Sequence, residues 1–224
     1  MTDLGSPKKF DIVVTSNWKQ LKRHYVLFRA LTRMRGDLRV ALIGGSMDGR
    51  TADDVRRLAT AYGVLDRLTF FEDISYSEVM RITCSSRISL LLSLKEGSNR
   101  AIAESMFCDV PGIVLEEHVG GIRKNIRPQT GRLVPERRLP QAIEEMLAQL
   151  DTFGPRAWAL ENISCTVTTD RLNAAIRTSA LAQGEQWTTD IAAKTNRPEI
   201  FIVDDSDRSA LQAYHSSLAD YIRQ

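Results

Sequence analysis

The stretch from Ser89 to Leu115 places the strongest constraint on the fold of this 224-residue chain. An apolar run from Ile88 to Leu92 has the length of a buried strand, and a loop at 95–97 ends it. Apolar residues at helical spacing then cover 99–107, and a second apolar run begins at Gly112. Two strands joined by a helix in this way predict one right-handed crossover unit of a parallel sheet.

The same alternation of strand-length apolar runs and helical stripes extends over residues 10–150. The first buried strand is predicted from Phe10 to Thr15, and further strands at 38–43, 68–71 and 131–134. A single helix is predicted over 18–34, and others lie between the later strands. This order predicts an α/β fold with a Rossmann-like, mostly parallel sheet and helices on both faces. Residues 1–9 are polar and are predicted to be a tail.

The alternation stops after residue 150, and residues 151–224 are predicted to form a helical C-terminal extension. Asp204 and Asp205 are interpreted as an N-cap cluster that opens a last amphipathic helix. The apolar stripe of that helix consists of Leu211, Tyr214, Leu218, Tyr221 and Ile222.

Composition argues against several other classes of protein. The net charge of +2 is too balanced to indicate nucleic-acid binding, and no apolar run has the length of a membrane span. Gly44-Gly45 lacks the GxGxxG spacing of a dinucleotide site, so a nicotinamide-dependent dehydrogenase is not expected. Cys84, Cys108 and Cys165 are widely spaced, which predicts reduced thiols in a cytosolic protein rather than a disulfide framework or a zinc site.

Two carboxylates flank the turn into the helix of the central unit. Glu96 lies in the loop and Glu104 in the second turn of the helix, roughly 8–10 Å apart by the helical rise. Between them, the backbone N–H groups of Gly97, Ser98 and Asn99 lie at a helix N-terminus, which favours an anion. This spacing suits a ligand with hydroxyl-rich ends and phosphates between them, such as a nucleotide sugar. Two solvated glutamates beside an ordinary helix are the alternative.

The pattern Glu96-x7-Glu104 resembles the donor-site signature of the family 4 retaining glycosyltransferases. The preceding Ser93-Leu94 and the following Val110-Pro111 add to the resemblance, which covers roughly residues 10–150. It implies one half of a GT-B fold, in which Glu96 contacts the donor sugar, Glu104 the ribose, and the intervening backbone the sugar and phosphates.

The resemblance also implies a pair of cations at the first strand-to-helix turn that clamp the donor diphosphate. Lys22 falls at the position of the family's Lys, but Asn17 stands where the family has an Arg. Lys19 or Arg23 would have to compensate for this departure. Solvated helix charges are the alternative for these residues other than Lys22.

Val119-Gly120-Gly121-Ile122 resembles the family's Gly-Gly turn near the donor sugar. The acidic residue that usually follows three positions after the second glycine is replaced by Lys124. His118 is predicted either to approach the sugar or phosphates or to be a loop residue without a role.

Together these features predict the donor-binding domain of a retaining hexosyltransferase, with Glu96 and Lys22 as catalytic residues. The donor is expected to be a UDP- or GDP-linked sugar, and neither a metal ion nor a cofactor is expected. The resemblance implies that the acceptor-binding domain is missing, so the isolated chain is expected to be inactive. A cytoplasmic location is expected, peripheral to the membrane through the missing domain. The alternative is a non-catalytic module that binds a nucleotide sugar or a partner chain.

Overall fold

The chain is described by a computed structural model that covers residues 7–34, 36–196, 200–202, 205–206, 208–209 and 211–212. It consists of two compact units, residues 1–159 and 160–224. The sequence had placed this division at residue 150.

Strands and helices alternate through the first unit. Its strands are β1 (Phe10–Thr15), β2 (Val40–Gly44), β3 (Leu68–Glu72), β4 (Ser86–Leu91), β5 (Gly112–Leu115) and β6 (Gly131–Val134). Its helices are α1 (His24–Leu31), α2 (Ala52–Ala61), α3 (Tyr76–Cys84), α4 (Arg100–Phe107) and α5 (Leu139–Ala148). All six strands pair in parallel, in the order β3-β2-β1-β4-β5-β6, which confirms the predicted Rossmann-like sheet.

Apolar side chains lie on both faces of the strands because helices cover both faces of the sheet. Along β1, Ile12 and Val14 face the core shared with α1, α2 and α5, whereas Val13 faces α3 on the other side. Since consecutive strand residues point to opposite faces, a strand covered on both sides carries consecutive apolar residues rather than alternating apolar and polar ones.

The helix predicted over residues 18–34 is two elements. A short 3₁₀ turn, Gln20–Lys22, precedes α1, and Arg23 between them adopts a left-handed conformation with φ of 56°. Trp18 fits the apolar pattern and is fully buried, but it lies in the loop before this turn, where it packs over Gly44. The apolar spacing over residues 18–34 therefore has two sources: Trp18 is buried in the loop, and the later apolar residues belong to the shorter helix α1.

Cys84 and Cys108 form a disulfide, which contradicts the expectation that all three cysteines are reduced thiols. Cys84 ends α3 and Cys108 directly follows α4, and these helices lie side by side. The pairing arises from the packing of two helices and not from a spacing motif. The cytoplasmic location inferred from reduced thiols loses that support, and Cys165 is a free thiol.

Helix α6 (Pro155–Asn162) spans the boundary between the units, and the second unit contains α7 (Cys165–Ala182). An antiparallel hairpin of β7 (Lys194–Asn196) and β8 (Ile200–Ile202), which the sequence did not predict, follows it. None of the helices in the described part of the chain is both long and apolar enough to cross a membrane. Of the predicted last helix and its cap, Asp204, Tyr214, Leu218, Tyr221 and Ile222 lie outside the described residues.

Candidate functional site

The candidate site lies at the carboxyl ends of β1 and β4, the two central strands. The strand order reverses between them, because the chain after β1 leads to β2 on one side and the chain after β4 leads to β5 on the other. Open α/β sheets bind ligands in the crevice outside the strand ends at such a switch point. Here it brings together Lys22 and Glu96, which are 74 residues apart in sequence.

The carboxylate of Glu96 is held by three side chains. Its Oε1 atom accepts hydrogen bonds from Lys22 Nζ at 2.7 Å and Ser93 Oγ at 2.6 Å, and its Oε2 atom accepts one from Asn99 Nδ2 at 2.9 Å. The side chains of Lys22 and Glu96 are only 15% and 13% exposed. Burial alone would raise the pKa of Glu96, but the hydrogen bonds from Lys22, Ser93 and Asn99 leave that pKa lowered. Glu96 is therefore an anion at neutral pH.

Asn99 links Glu96 to the start of α4. Its Oδ1 atom caps the helix by accepting from Ile102 N at 2.9 Å, while its amide group donates to Glu96. Gly97 and Ser98 are exposed at the tip of the preceding loop, as a contact with an external anion requires. The cap thus fixes the position of Glu96 relative to the helix N-terminus.

Glu104 lies farther along α4 and also contacts α3. Its Oε1 atom accepts from Arg100 Nη2 at 3.1 Å and from the Tyr76 hydroxyl at 3.3 Å. Its side chain is 21% exposed, so it remains accessible to a ligand. Sequence analysis did not identify Tyr76, because its contact with Glu104 depends on the packing of two helices.

The loop after β4 pairs with the loop after β5 through backbone hydrogen bonds. Glu96 N donates to Val119 O at 3.1 Å, Val119 N to Leu94 O at 2.6 Å, and Gly121 N to Gly97 O at 2.8 Å. These bonds join the predicted Glu96 loop and the predicted Gly-Gly turn into one wall of the site.

His118 and Gly120 lie inside this wall. The His118 ring is 1% exposed and its Nδ1 atom lies 2.8 Å from the carbonyl oxygen of Ser93. A Cβ at Gly120 would come within 2.4 Å of the Glu96 carbonyl oxygen, so this position does not accept a larger residue without movement. His118 is thus a buried part of the wall, and the sequence had left open whether it had any role.

Arg23 points away from Glu96. Its guanidinium donates to Glu136 Oε2 at 2.5 Å, to the carbonyl oxygen of Leu92 at 3.2 Å, and to the Tyr25 hydroxyl at 3.1 Å. Arg29 pairs with the other carboxylate oxygen of Glu136. The structure therefore ties Arg23 to the loops after β4 and β6, and its predicted phosphate role stays a prediction.

Asn17 and Lys19 have local partners as well. The Asn17 side chain donates to Met47 Sδ at 3.2 Å and accepts from the backbone of Lys19, while the Lys19 ammonium pairs with Asp48 at 2.7 Å. Of the four residues predicted around the diphosphate at the first turn, Lys22 is the one seen to bond Glu96.

A cavity of about 270 Å³ lies beside the site, beyond the ends of β1, β2 and β3. Its lining residues come from the ends of β1 and β2, from the loops that follow the three strands, and from α3: Thr15, Ser16, Asn17, Ile43, Gly44, Gly45, Asp73, Ile74 and Val79. A Cβ at Gly45 would lie 2.5 Å from a carboxylate oxygen of Asp73. The glycine pair therefore permits a close approach in the cavity wall.

His24 lies buried behind the 3₁₀ turn that carries Lys22. Its Nε2 atom is 3.1 Å from Ser16 Oγ. Burial, helped by the charges of Arg50 and Lys22, lowers the pKa of His24 to about 4. The ring is therefore neutral at physiological pH, and sequence analysis gave no sign of it.

The arrangement brings an ammonium, a fixed carboxylate and a helix N-terminus together at the carboxyl ends of the central strands. The ammonium and the helix end suit an anion, and the carboxylate suits a neighbouring group that carries hydroxyls. Within the described residues, no group of three or more His, Cys, Asp or Glu side chains is placed to hold a metal ion. Metal independence stays a prediction.

Comparison with protein families matches residues 9–151 to the family described as Glycosyl transferases group 1. The match covers well over half of the chain and contains every predicted site residue. A search of curated proteins found no match.

Solved structures resemble the fold over most of this chain. A sucrose-phosphate synthase from Thermosynechococcus elongatus has a TM-score of 0.65 and 23% identity, over 80% of this chain and 48% of that one. Anabaena HepE, solved in complex with UDP and glucose, has a TM-score of 0.64 and 17% identity, over 77% and 49%. The catalytic domain of a cholesterol-α-glucosyltransferase from Helicobacter pylori has a TM-score of 0.54 and 16% identity, over 68% and 96%. The chain thus spans about half the length of the first two.

Proposed function

Since the chain belongs to the group 1 family of glycosyl transferases, we propose that its first unit binds the nucleotide-diphosphate sugar in a retaining hexosyl transfer. The observation that carries the proposal is the pairing of Lys22 with Glu96 at the topological switch point. An ammonium and a carboxylate there are suited to the two halves of such a donor.

The chemical task in this reaction is to stabilise the diphosphate as it leaves the sugar. Lys22 and the N-terminus of α4 supply positive charge where negative charge develops. Glu96 accepts hydrogen bonds from sugar hydroxyls, and Glu104 accepts one from the ribose. These groups need no metal ion, so we propose a metal-independent reaction.

The likeness to HepE supports the choice of donor, since that protein was solved with UDP and glucose. UDP-linked sugars are therefore the first candidates, with GDP-linked sugars next. The cavity beside Ser16 and Asp73 lies at the ends of β1, β2 and β3, whereas Glu96 follows β4 on the other side of β1. This position suits the nucleoside end of the donor.

We further propose that the acceptor is bound by a second domain. The chain spans about half the length of the sucrose-phosphate synthase and of HepE, whereas transfer requires acceptor and donor to be held together. Positioning of two reactants can supply about 7–11 kcal/mol of barrier reduction, which a donor-binding half does not provide alone.

A non-catalytic binding module is the second candidate. It is favoured by the neutral Asn17 at the position of the family's Arg and by the commitment of Arg23 to Glu136. Both observations leave fewer positive charges to stabilise a leaving diphosphate.

Calorimetric titration with UDP, GDP and ADP, and then with their glucose and mannose conjugates, tests the proposal. We expect one diphosphate to bind, with equal affinity in excess EDTA and in magnesium once the metal–nucleotide complex is allowed for. Binding of none of these ligands, or an absolute need for magnesium, would contradict the proposed site. Binding without any transfer when the second domain is supplied would favour the non-catalytic module.

A further inference from the structure

Arg23 joins the turn that carries Lys22 to helix α1, and its backbone conformation is unusual for its residue type. With φ of 56° and ψ of 41° it is left-handed, a conformation that glycine accepts freely and that other residues rarely adopt. The other non-glycine residues with positive φ in the described part of the chain are Asp48, Asp73 and Asp109, and aspartate tolerates this conformation better. Arg23 is also the N-cap residue of α1, but its side chain makes no cap hydrogen bond. Neither the turn nor the helix end therefore favours an arginine here.

The side chain of Arg23 connects three elements at the carboxyl edge of the sheet. It is only 14% exposed, and it donates from Nη1 to the Leu92 carbonyl oxygen at 3.2 Å and from Nη2 to Glu136 Oε2 at 2.5 Å. Leu92 directly follows β4, and Glu136 opens a short 3₁₀ helix after β6. Glu136 is itself held, because its other carboxylate oxygen accepts from Arg29 and its backbone N–H donates to Glu117. The guanidinium thus ties the turn after β1 to the ends of β4 and β6.

This tie bears on both members of the Lys22–Glu96 pair. Lys22 is the last residue of the 3₁₀ turn and directly precedes Arg23. Leu92 directly precedes Ser93, whose hydroxyl donates to Glu96 at 2.6 Å. The bond between Lys22 and Glu96 at 2.7 Å joins segments that follow two different strands, so it requires these segments to keep a fixed separation. The bond from Arg23 to Leu92 links the same two segments.

We propose that Arg23 is a positioning residue of the donor site, which holds the turn of Lys22 against the end of β4 and so fixes Lys22 relative to Glu96. This inference rests on the proposed donor site and adds to it a residue that acts without touching the ligand. Arginine suits the role because its planar fork donates to Leu92 and Glu136 at once, whereas a lysine has a single flexible ammonium.

Three variants separate the parts of this role. Arg23→Gly removes the side chain but accepts the left-handed conformation, so the turn and the fold should persist. Arg23→Lys keeps the charge but not the fork. Arg29→Met is the matched control, because it removes the other guanidinium that pairs with Glu136 and leaves Arg23 in place. Urea denaturation checks that each variant is folded.

The readout without ligand is the pKa of Glu96, followed by carbon-13 NMR and assigned by the loss of its signal in Glu96→Gln. Burial raises this pKa, but the hydrogen bonds from Lys22, Ser93 and Asn99 leave it lowered. If Arg23 holds the pair, Arg23→Gly weakens the bond from Lys22 while the carboxylate stays buried, so the pKa of Glu96 should rise. It should also rise in Arg23→Lys, where the charge remains without the fork, and it should keep its wild-type value in Arg29→Met.

Calorimetry with UDP and UDP-glucose gives the second readout. UDP-glucose should bind roughly tenfold or more weakly to Arg23→Gly, an effect of the size of one lost hydrogen bond to a charged group. UDP should lose less affinity, because it is proposed to use Lys22 but not Glu96. Arg29→Met should bind both ligands within about twofold of wild type, as expected for removal of a partly exposed ion pair.

An unchanged pKa of Glu96 in Arg23→Gly would overturn the inference, and a loss of UDP affinity in the same variant would then show that Arg23 acts on the diphosphate directly. A wild-type pKa in Arg23→Lys would overturn it as well, because the charge at this position rather than the tie would then set the pair. In both cases the donor site stands as long as the wild-type chain binds UDP-glucose. Binding of neither UDP nor UDP-glucose to the wild-type chain would instead refute the proposed function, and with it the role of Arg23 in binding.

Discussion

Glu96→Gln is expected to separate recognition of the sugar from recognition of the diphosphate. The substitution keeps the size of the side chain and its ability to accept from Ser93, but it removes the charge that holds Lys22. In the wild-type chain the ammonium of Lys22 is 2.7 Å from that carboxylate, so a diphosphate must share Lys22 with Glu96. In the variant the ammonium keeps only a neutral oxygen as a partner, so the diphosphate competes with a weaker acceptor.

The magnitudes follow from the strengths of the hydrogen bonds involved. A hydrogen bond to a charged acceptor contributes about 1.5–3 kcal/mol and one to a neutral acceptor about 0.5–1.5 kcal/mol. Replacing the carboxylate should therefore cost the sugar about 1–2 kcal/mol, a roughly five- to thirtyfold loss of affinity for the nucleotide sugar. Release of Lys22 should offset part of this loss and should leave UDP binding unchanged or up to about fivefold tighter.

The assay is calorimetry with UDP and UDP-glucose at fixed salt concentration, since charge–phosphate attraction depends on ionic strength. The quantity of interest is the ratio of the two affinities, which should fall in Glu96→Gln. Lys22→Met is the matched variant, and it should weaken both ligands because it removes the cation itself. If Glu96→Gln weakens UDP and UDP-glucose by the same factor, the division of roles between Lys22 and Glu96 is wrong.

Four further predictions concern other parts of the molecule. Glu104→Ala should weaken the binding of UDP itself by about 1.5–3 kcal/mol, because the ribose loses a charged acceptor. Calorimetry should show a much smaller loss of UDP affinity for Tyr76→Phe, which removes only a partner of Glu104. Acid should destabilise the fold through His24, because its pKa is lowered from 6.5 to about 4 and the unfolded chain therefore binds the proton more readily. The free energy of unfolding should fall by up to about 3 kcal/mol between pH 6.5 and pH 4. Urea denaturation at a series of pH values should show a smaller dependence of that free energy on pH in His24→Gln. Dithiothreitol should lower the free energy of unfolding by about 3 kcal/mol, because the disulfide closes a loop across a separation of 24 residues, and the Cys84→Ala/Cys108→Ala variant should not respond. The purified chain, incubated with whichever donor binds and a panel of sugar and lipid acceptors, should give no sustained product by mass spectrometry, and Glu96-dependent transfer without an added partner would refute the need for a second domain.

The sheet could be predicted from the sequence because its information is local. Each strand from β1 to β6 contains consecutive apolar residues, and a polar, glycine or proline residue follows within two positions of its carboxyl end. The exceptions arose where local pattern and tertiary contact disagree. Trp18 continued the apolar spacing of α1 but is buried in the preceding loop, and the left-handed conformation of Arg23 that separates them has no glycine to announce it.

The site was predictable to the extent that its residues share one segment. Glu96, Asn99 and Glu104 follow from one stretch of loop and helix, and the family match covers them. The contacts of Tyr76 with Glu104 and of His118 with Ser93 join segments that only the fold brings together. The same holds for Cys84 and Cys108, whose pairing depends on the packing of α3 against α4.

The pairing of Lys22 with Glu96 connects the fold to the strength of ligand binding. Both side chains are mostly withdrawn from water, and each compensates the charge of the other. A donor that takes the carboxylate with its hydroxyls and the ammonium with its diphosphate exchanges one charged contact for two. The site therefore need not strip water from isolated charges when the donor binds, which is the costly step for buried ions. A ligand that satisfies only one member of the pair leaves the other with a weakened partner. The site is therefore expected to favour the intact nucleotide sugar over either of its parts. For this reason the ratio of the affinities for UDP-glucose and UDP in Glu96→Gln, rather than either affinity alone, tests the proposed role of the site.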